Sequence, residues 1–108
     1  MSLKNILKFP DETTVSPAFF QVMVDHFPWF KENQKFTAVE VSSKDADVYK
    51  GDFHGLLEEM KVPSSYFRII TAFNGLKSPM DYDGAMPIVK IPSFQEIQRL
   101  LSVFDIEM

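Results

Sequence analysis

The sequence predicts an α+β fold in which helices pack on a small β-sheet. Two observations indicate this class. Short segments rich in β-branched residues occur at residues 36–41 and 88–91, and segments with apolar residues at helical spacing lie between and around them. With 108 residues, 45% of them apolar, the chain is long enough for one domain with a thin core.

The first predicted helix begins at Ser16 and Pro17, because serine caps helices well and proline suits the first turn. Pro28 is expected to end this helix, since proline interrupts helical hydrogen bonding. Trp29 and Phe30 then lie just beyond the helix end. The apolar residues that share one face of the helix are Phe19, Phe20, Met23, Val24 and Phe27.

A polar connector at residues 42–47 follows the strand-like segment 36–41 and is the best candidate for a boundary. We therefore divide the chain into residues 1–45, an aromatic-rich extension that packs on the rest of the protein or on a neighbour, and residues 46–108. Within the second part, residues 48–50 are expected to form a short strand that pairs with residues 88–91.

Two helices are predicted between these strands. Asp52 can cap a helix over residues 53–61, and Ser64 or Ser65 can cap a second helix that ends near Asn74. Gly75 is a natural residue for a helix C-terminus. The residues of the two helices that we expect to face the core are Phe53, Leu56, Leu57, Met60, Phe67, Ile70 and Phe73.

A last helix is predicted to begin at Ser93, where Ser93 and Glu96 have the spacing of a capping box. Its apolar residues form a single stripe, which is too apolar to remain in water. We expect the stripe to pack on residues 46–92 or on a neighbouring chain. The residues of the stripe are Phe94, Ile97, Leu100, Leu101 and Phe104.

Few residues of the chain suit catalysis or metal binding. Cysteine is absent, only two histidines occur, and neither a nucleophile turn nor a glycine-rich phosphate loop is present. His54 and Glu58 have helical i, i+4 spacing but lack further ligands, and residues 81–84 match only a fragment of a calcium loop. We therefore predict no catalytic residues, no metal and no cofactor.

Charge and hydropathy exclude two other classes of partner. The net charge is −4, and the basic residues are scattered, whereas nucleic-acid-binding proteins usually carry a clustered positive surface. Apolar runs are too short to cross a membrane, and the first ten residues are too polar for a signal peptide. We expect neither nucleic acid nor membrane as a partner, and no export by the common route.

The remaining signals concern binding. Trp29 and Phe30 either fill the core or form an exposed anchor for a partner, since aromatic residues dominate both environments. The segment 74–84 is rich in turn-forming residues and contains Tyr82. It is either a plain connector or a recognition loop on a rigid scaffold.

The second part of the chain resembles a LysM module, which folds as a strand, two helices and a strand (βααβ). Many members of that family bind N-acetylglucosamine polymers such as peptidoglycan, in a groove between two loops. By position, this resemblance assigns the groove to Gly51, Asp52, Phe53, Asn74, Gly75, Leu76 and Lys77. The residues that carry the resemblance are Gly51-Asp52, Val62, Asn74-Gly75-Leu76, Pro79, Gly84 and Ile91-Pro92.

Residues 63–79 more narrowly resemble the LysM-like baseplate proteins of contractile-tailed bacteriophages, which have a proline, an aromatic pair, an aliphatic run, an asparagine and a later proline in this order. In that group the module is a structural clamp, often in the baseplate wedge. The resemblance implies a non-enzymatic virion protein that binds other tail and baseplate proteins as a homo- or hetero-oligomer. The alternative is a LysM protein that binds peptidoglycan or another saccharide.

Overall fold

The computed structural model describes residues 16–107, and the side chains as far as residue 104. The turn predicted at residues 10–12 lies outside the described residues. The described chain is a mixture of helices and strands, consistent with the α+β prediction. Its elements are α1 (Pro17–Glu32), β1 (Phe36–Glu40), α2 (Ser43–Val48), α3 (Phe53–Glu59), a 3-10 turn (Ser64–Tyr66), α4 (Phe67–Phe73), a second 3-10 turn (Pro79–Asp81), β2 (Ile88–Pro92) and α5 (Phe94–Glu107).

Helix α1 begins as predicted, with the side chain of Ser16 accepting a hydrogen bond from the backbone N–H of Phe19. The predicted end at Pro28 is wrong, because α1 continues through this proline to Glu32. A proline inside a helix costs about 3 kcal/mol. Packing offsets this cost, since the rings of Phe27 and Phe30 on either side of Pro28 both contact the ring of Phe73.

The sheet consists of β1 and β2, which pair in antiparallel orientation with Phe36 opposite Pro92 and Glu40 opposite Ile88. Both segments were predicted as strands. The third strand predicted at residues 48–50 is wrong, and so is its pairing with residues 88–91. Those residues close helix α2, in which Ser42 caps the backbone N–H of Asp45 and Ala46 is buried.

Helix α2 changes the number of helices between the paired strands and bears on the suggested division of the chain. Three helices, rather than the predicted two, lie between the paired strands. The boundary suggested between residues 45 and 46 lies inside α2, and the two strands of the sheet come from opposite sides of it. One hydrophobic cluster contains buried side chains of α1, α3, α4, β2 and α5.

Helices α3 and α4 largely follow the prediction. Asp52 caps α3 by accepting a hydrogen bond from the backbone N–H of Gly55 at 3.0 Å. The serine cap predicted for the second helix is wrong, because this segment begins with the 3-10 turn, whose N-cap is Pro63 and has no side-chain cap. Tyr66 is fully buried in that turn, and its hydroxyl accepts a hydrogen bond from the side chain of Gln98 at 2.6 Å.

The apolar stripe of α5 packs on the same protein. Packing within the protein and packing on a neighbouring chain were the two predicted alternatives. Phe94 and Ile97 are buried, and Phe104 lies 5.6 Å from Phe19 between ring centroids. The capping box is only half formed. Ser93 accepts a hydrogen bond from the backbone N–H of Glu96, whereas the carboxylate of Glu96 forms an ion pair with Arg99 at 2.8 Å.

Candidate binding surface

The first set of predicted site residues lies between α2 and α3 and is occupied by internal contacts. Gly51 has a left-handed backbone conformation (φ +79°), and its N–H donates a hydrogen bond to the carbonyl of Tyr82 at 2.6 Å. Asp52 caps α3. Phe53 is fully buried, with its ring 5.3 Å from that of Tyr82. Only the exposed parts of Gly51 and Asp52 remain accessible to a ligand.

Asn74, at the end of α4, uses its side-chain amide to hold β2. The amide nitrogen donates hydrogen bonds to the carbonyls of Ile70 at 2.8 Å and Lys90 at 2.9 Å. The amide oxygen accepts one from the backbone N–H of Lys90 at 2.8 Å. This pairing extends β2 with a side chain, so the hydrogen-bonding groups of Asn74 that a saccharide would need are engaged within the protein.

Gly75 ends α4 in a left-handed conformation (φ +80°), and the chain then turns into the loop that contains Leu76 and Lys77. The N–H of Gly75 donates to the carbonyl of Ala72, and that of Leu76 to the carbonyl of Thr71. This pair of hydrogen bonds is a Schellman motif. Leu76 is half-buried and Lys77 is exposed, and both line the groove described below.

The three predicted aromatic contact residues differ in exposure. Phe30 is fully buried, whereas Trp29 is 37% exposed, with its ring edge-on to Phe30 and the Arg99 guanidinium 5.8 Å from it. Tyr82 is only 1% exposed, and its hydroxyl has no hydrogen-bond partner among the described residues. Burial, reinforced by the carboxylate of Asp83, raises the pKa of Tyr82 from its ordinary value of 10.0.

A groove of about 570 Å³ runs between α1, α4 and the loop after α4, with one residue of α3 at its edge. We call it the α1–α4 groove. Half-buried apolar side chains supply much of its lining, and several basic or neutral polar groups surround them. The groove is lined by Phe20, Gln21, Val24, His54, Arg68, Thr71, Ala72, Leu76, Lys77, Ser78 and Pro79.

Among the described residues, the charged side chains that line the α1–α4 groove are both basic. The guanidinium of Arg68 lies 4.1 Å from the ring centroid of Phe20, a cation–π contact, and Lys77 is exposed on the loop after α4. Gln21, a lining residue, donates a side-chain hydrogen bond to the carboxylate of Asp25 at 3.1 Å. The groove therefore presents positive charge in a protein whose net charge is −4.

Two smaller grooves flank the other faces of the protein. One of about 280 Å³ contains Asn74 and Gly75 together with two lysines, Lys31 and Lys90. The other, of about 250 Å³, lies between α1 and α5 and is mostly apolar. Neither of these two grooves includes Gly51 or Asp52 in its lining. The second groove is lined by Val22, His26, Leu100, Val103 and Phe104.

Sequence reasoning did not find the residues that give the α1–α4 groove its charge and shape. Phe20 was predicted on the core face of α1, and Arg68 was not singled out. Their contact joins two helices that are far apart in sequence, and helical periodicity carries no information about such a contact. The only signal in the sequence was that Arg68 interrupts an otherwise apolar segment.

Within residues 16–107, no group of three or more histidine, aspartate or glutamate side chains is arranged to hold a metal ion. The same part of the chain has no helix with the length and apolar character needed to span a bilayer.

Comparison of the chain with protein-family models, with curated proteins and with solved structures gives no match.

Proposed function

We propose that this protein is a non-enzymatic structural component of a contractile phage tail, in which a LysM-like module clamps neighbouring baseplate subunits in the virion. The observation that carries the proposal is the use of Asn74. Its amide is bonded to Ile70 and Lys90, and Phe53 and Tyr82 are buried. The residues assigned to saccharide binding therefore work mainly to hold the fold together.

The resemblance to LysM modules supports the proposal once β1 takes the place of the first strand. The paired strands β1 and β2 then precede and follow the helices along the chain, as the strands of that family do. Helix α2 is an additional helix between them. Gly51 and Asp52 still precede the next helix, α3, and Asn74 and Gly75 still end α4. These four residues thus have structural roles at helix ends.

Apolar side chains on the surface also favour a role in assembly. Single exposed apolar residues are normal on any protein, whereas aromatic residues and methionine are enriched at subunit interfaces. Met80 is 77% and Val48 61% exposed, and Trp29 is of the type that most often dominates binding energy at interfaces. The large exposed apolar residues are Trp29, Val48, Met80, Ile88 and Val103.

The competing function is binding of peptidoglycan or another N-acetylglucosamine polymer. It is favoured by Leu76 and Lys77, which were assigned to a saccharide groove and do line the α1–α4 groove. Small-molecule sites combine an apolar surface with a few free polar groups, and this groove has both.

Two measurements separate the functions. We expect the protein to stay in the supernatant when it is sedimented with insoluble peptidoglycan, and to be found by mass spectrometry in purified tails of a phage that encodes it. Saturable sedimentation that is competed by soluble N-acetylglucosamine oligomers, together with absence from the tails, would establish the saccharide function instead. Lysozyme-digested peptidoglycan serves as the control for non-specific pelleting.

A further inference from the structure

We propose that the α1–α4 groove is a docking site for an acidic segment of a partner protein, in which carboxylates alternate with apolar side chains. The proposal goes beyond the phage function and holds whether or not the protein is part of a tail. It rests on the charge of the groove, on the state of Arg68 and on the apolar surface between the basic groups.

Arg68 is prepared to bind a carboxylate. The guanidinium of Arg68 lies over the ring of Phe20, 4.1 Å from the ring centroid, and this cation–π contact favours its position in the groove lining. The only ion pair among the described residues joins Arg99 and Glu96, so Arg68 has no internal acidic partner there. A guanidinium in this state binds a carboxylate through two parallel hydrogen bonds.

Lys77 supplies a second positive charge, from the loop after α4 that also lines the groove. Asp25, which is not a lining residue, accepts a hydrogen bond from the Gln21 side chain. His54 also lines the groove, with its ring 5.2 Å from that of Phe67. Because both fully charged groups among the described lining residues are positive, the potential favours an anionic ligand and disfavours a basic one.

The surface between these charges is apolar and selects among anionic ligands. Four half-buried apolar residues of the lining can bury the apolar side chains of a bound segment. They are Val24, Ala72, Leu76 and Pro79. Thr71 offers no free hydroxyl hydrogen, because its Oγ1 donates to the carbonyl of Phe67 at 2.7 Å. A segment with alternating acidic and apolar residues fits this surface better than a small inorganic anion does.

Fluorescence anisotropy tests the proposal with three labelled peptides of equal length, in which leucine alternates with glutamate, glutamine or lysine. We expect the glutamate peptide to bind at least about tenfold more tightly than the other two, and its affinity to fall as salt is raised. Equal affinity for the glutamine peptide, or no saturable binding up to about 1 mM, would overturn the proposal.

Arg68→Glu and Lys77→Glu should each weaken binding of the glutamate peptide by roughly tenfold or more. Lys44→Glu is the matched control, because Lys44 is exposed on α2, outside the groove, and its substitution changes the net charge equally. Circular dichroism verifies folding, and Arg68→Gln replaces Arg68→Glu if the latter does not fold. An equal loss in the Lys44→Glu protein would mean that only net charge matters, which contradicts the proposal.

Sedimentation velocity identifies another occupant. If the protein forms dimers that Arg68→Glu and Lys77→Glu dissociate and Lys44→Glu does not, the groove holds a second copy of this chain, and the assignment to a separate partner is wrong. A monomer that binds the glutamate peptide supports the proposal.

Discussion

Asn33 and Asn74 both occupy the C-cap position of a helix, but their side chains make different sets of hydrogen bonds. Each follows the last turn of a helix, and each donates a side-chain hydrogen bond to the carbonyl four residues earlier. Asn74 makes two further hydrogen bonds, to the backbone N–H and carbonyl of Lys90 in β2. The pair therefore allows the contribution of the link between α4 and β2 to be measured separately from that of the helix end.

We predict that Asn74→Ala lowers the free energy of unfolding by about 2–4 kcal/mol, because it removes two hydrogen bonds to β2 and one to α4. Asn33→Ala should cost about 1 kcal/mol or less, since only its single exposed hydrogen bond is lost. Urea denaturation of both variants provides the comparison. Equal losses would mean that the bonds to Lys90 contribute nothing.

Tyr82→Phe should leave the protein equally stable or stabilise it by about 1 kcal/mol, because the buried hydroxyl has no partner among the described residues. The pH dependence has a definite sign. The pKa of Tyr82 is raised in the folded protein, so above pH 10 the unfolded chain releases this proton first and stability falls as pH rises.

Thermal unfolding between pH 8 and about 11 measures both effects. The wild type should lose stability above pH 10 more steeply than the Tyr82→Phe protein does. Tyr49→Phe is a comparison rather than a control, because desolvation also raises the pKa of Tyr49, so this variant too should lose stability above pH 10 less steeply than the wild type. If Tyr82→Phe lowers the free energy of unfolding by more than about 1 kcal/mol at neutral pH, the Tyr82 hydroxyl makes a favourable contact, which contradicts the prediction.

At the scale of the elements, three helices end in the same way. The residue after the cap is left-handed in each case: Gln34 after α1 (φ 53°), Lys61 after α3 (φ 68°) and Gly75 after α4 (φ 80°). Hydrogen bonds from this residue and the next one close the last turn of the helix. Only Gly75 adopts this conformation without a steric penalty.

We predict that Lys61→Gly stabilises the protein by up to about 1 kcal/mol and that Gly75→Ala destabilises it by about 1 kcal/mol. A Cβ at Gly75 would have no atom within 4 Å, so the effect of Gly75→Ala reports the backbone conformation alone. Differential scanning calorimetry would detect the opposite shifts in Tm. A destabilised Lys61→Gly protein would imply that the lysine side chain has a role of its own.

The sequence predicted most elements where the signal is local. Ser16, Asp52 and Ser93 each cap the helix assigned to them, and Gly75 ends α4 as expected. Prediction from the sequence failed where contacts between distant residues determine the structure. Pro28 lies inside α1 because aromatic packing outweighs the cost of a proline, and the pairing of β1 with β2 cannot be read from either strand alone.

Residues 48–50 illustrate how a short segment misleads. A valine and a tyrosine in sequence favour a strand, but Ser42 caps the preceding turn and Ala46 is buried, which stabilises a helix up to Val48. Three residues are too few for β propensity to outweigh a capped and buried helical turn.

At the scale of the molecule, the candidate site was only partly predictable. Turn and cap residues were predicted correctly at Gly51, Asp52 and Gly75. The polar groups of Gly51, Asp52 and Asn74, however, form hydrogen bonds within the protein. The basic and apolar α1–α4 groove depends on the meeting of Phe20 with Arg68, which only the packing of α1 on α4 produces. Residue types locate loops and caps, whereas a surface between helices requires the tertiary structure.

Trp29 and Ile70 separate binding from folding. Ile70→Ala should cost about 2–5 kcal/mol in unfolding free energy, because Ile70 is fully buried. Trp29→Ala should cost much less, since Trp29 is 37% exposed, but should reduce incorporation into tails more than any loss of folding explains. Urea denaturation and quantitative mass spectrometry of purified tails provide the two measurements. Equal unfolding costs would place Trp29 in the core.

Deletion of the gene in a phage that encodes it, followed by negative-stain electron microscopy, tests the proposed assembly function most directly. We expect particles without a complete baseplate, and restoration of the baseplate when the protein is supplied from a plasmid. Normal baseplates and full infectivity after the deletion would contradict the account.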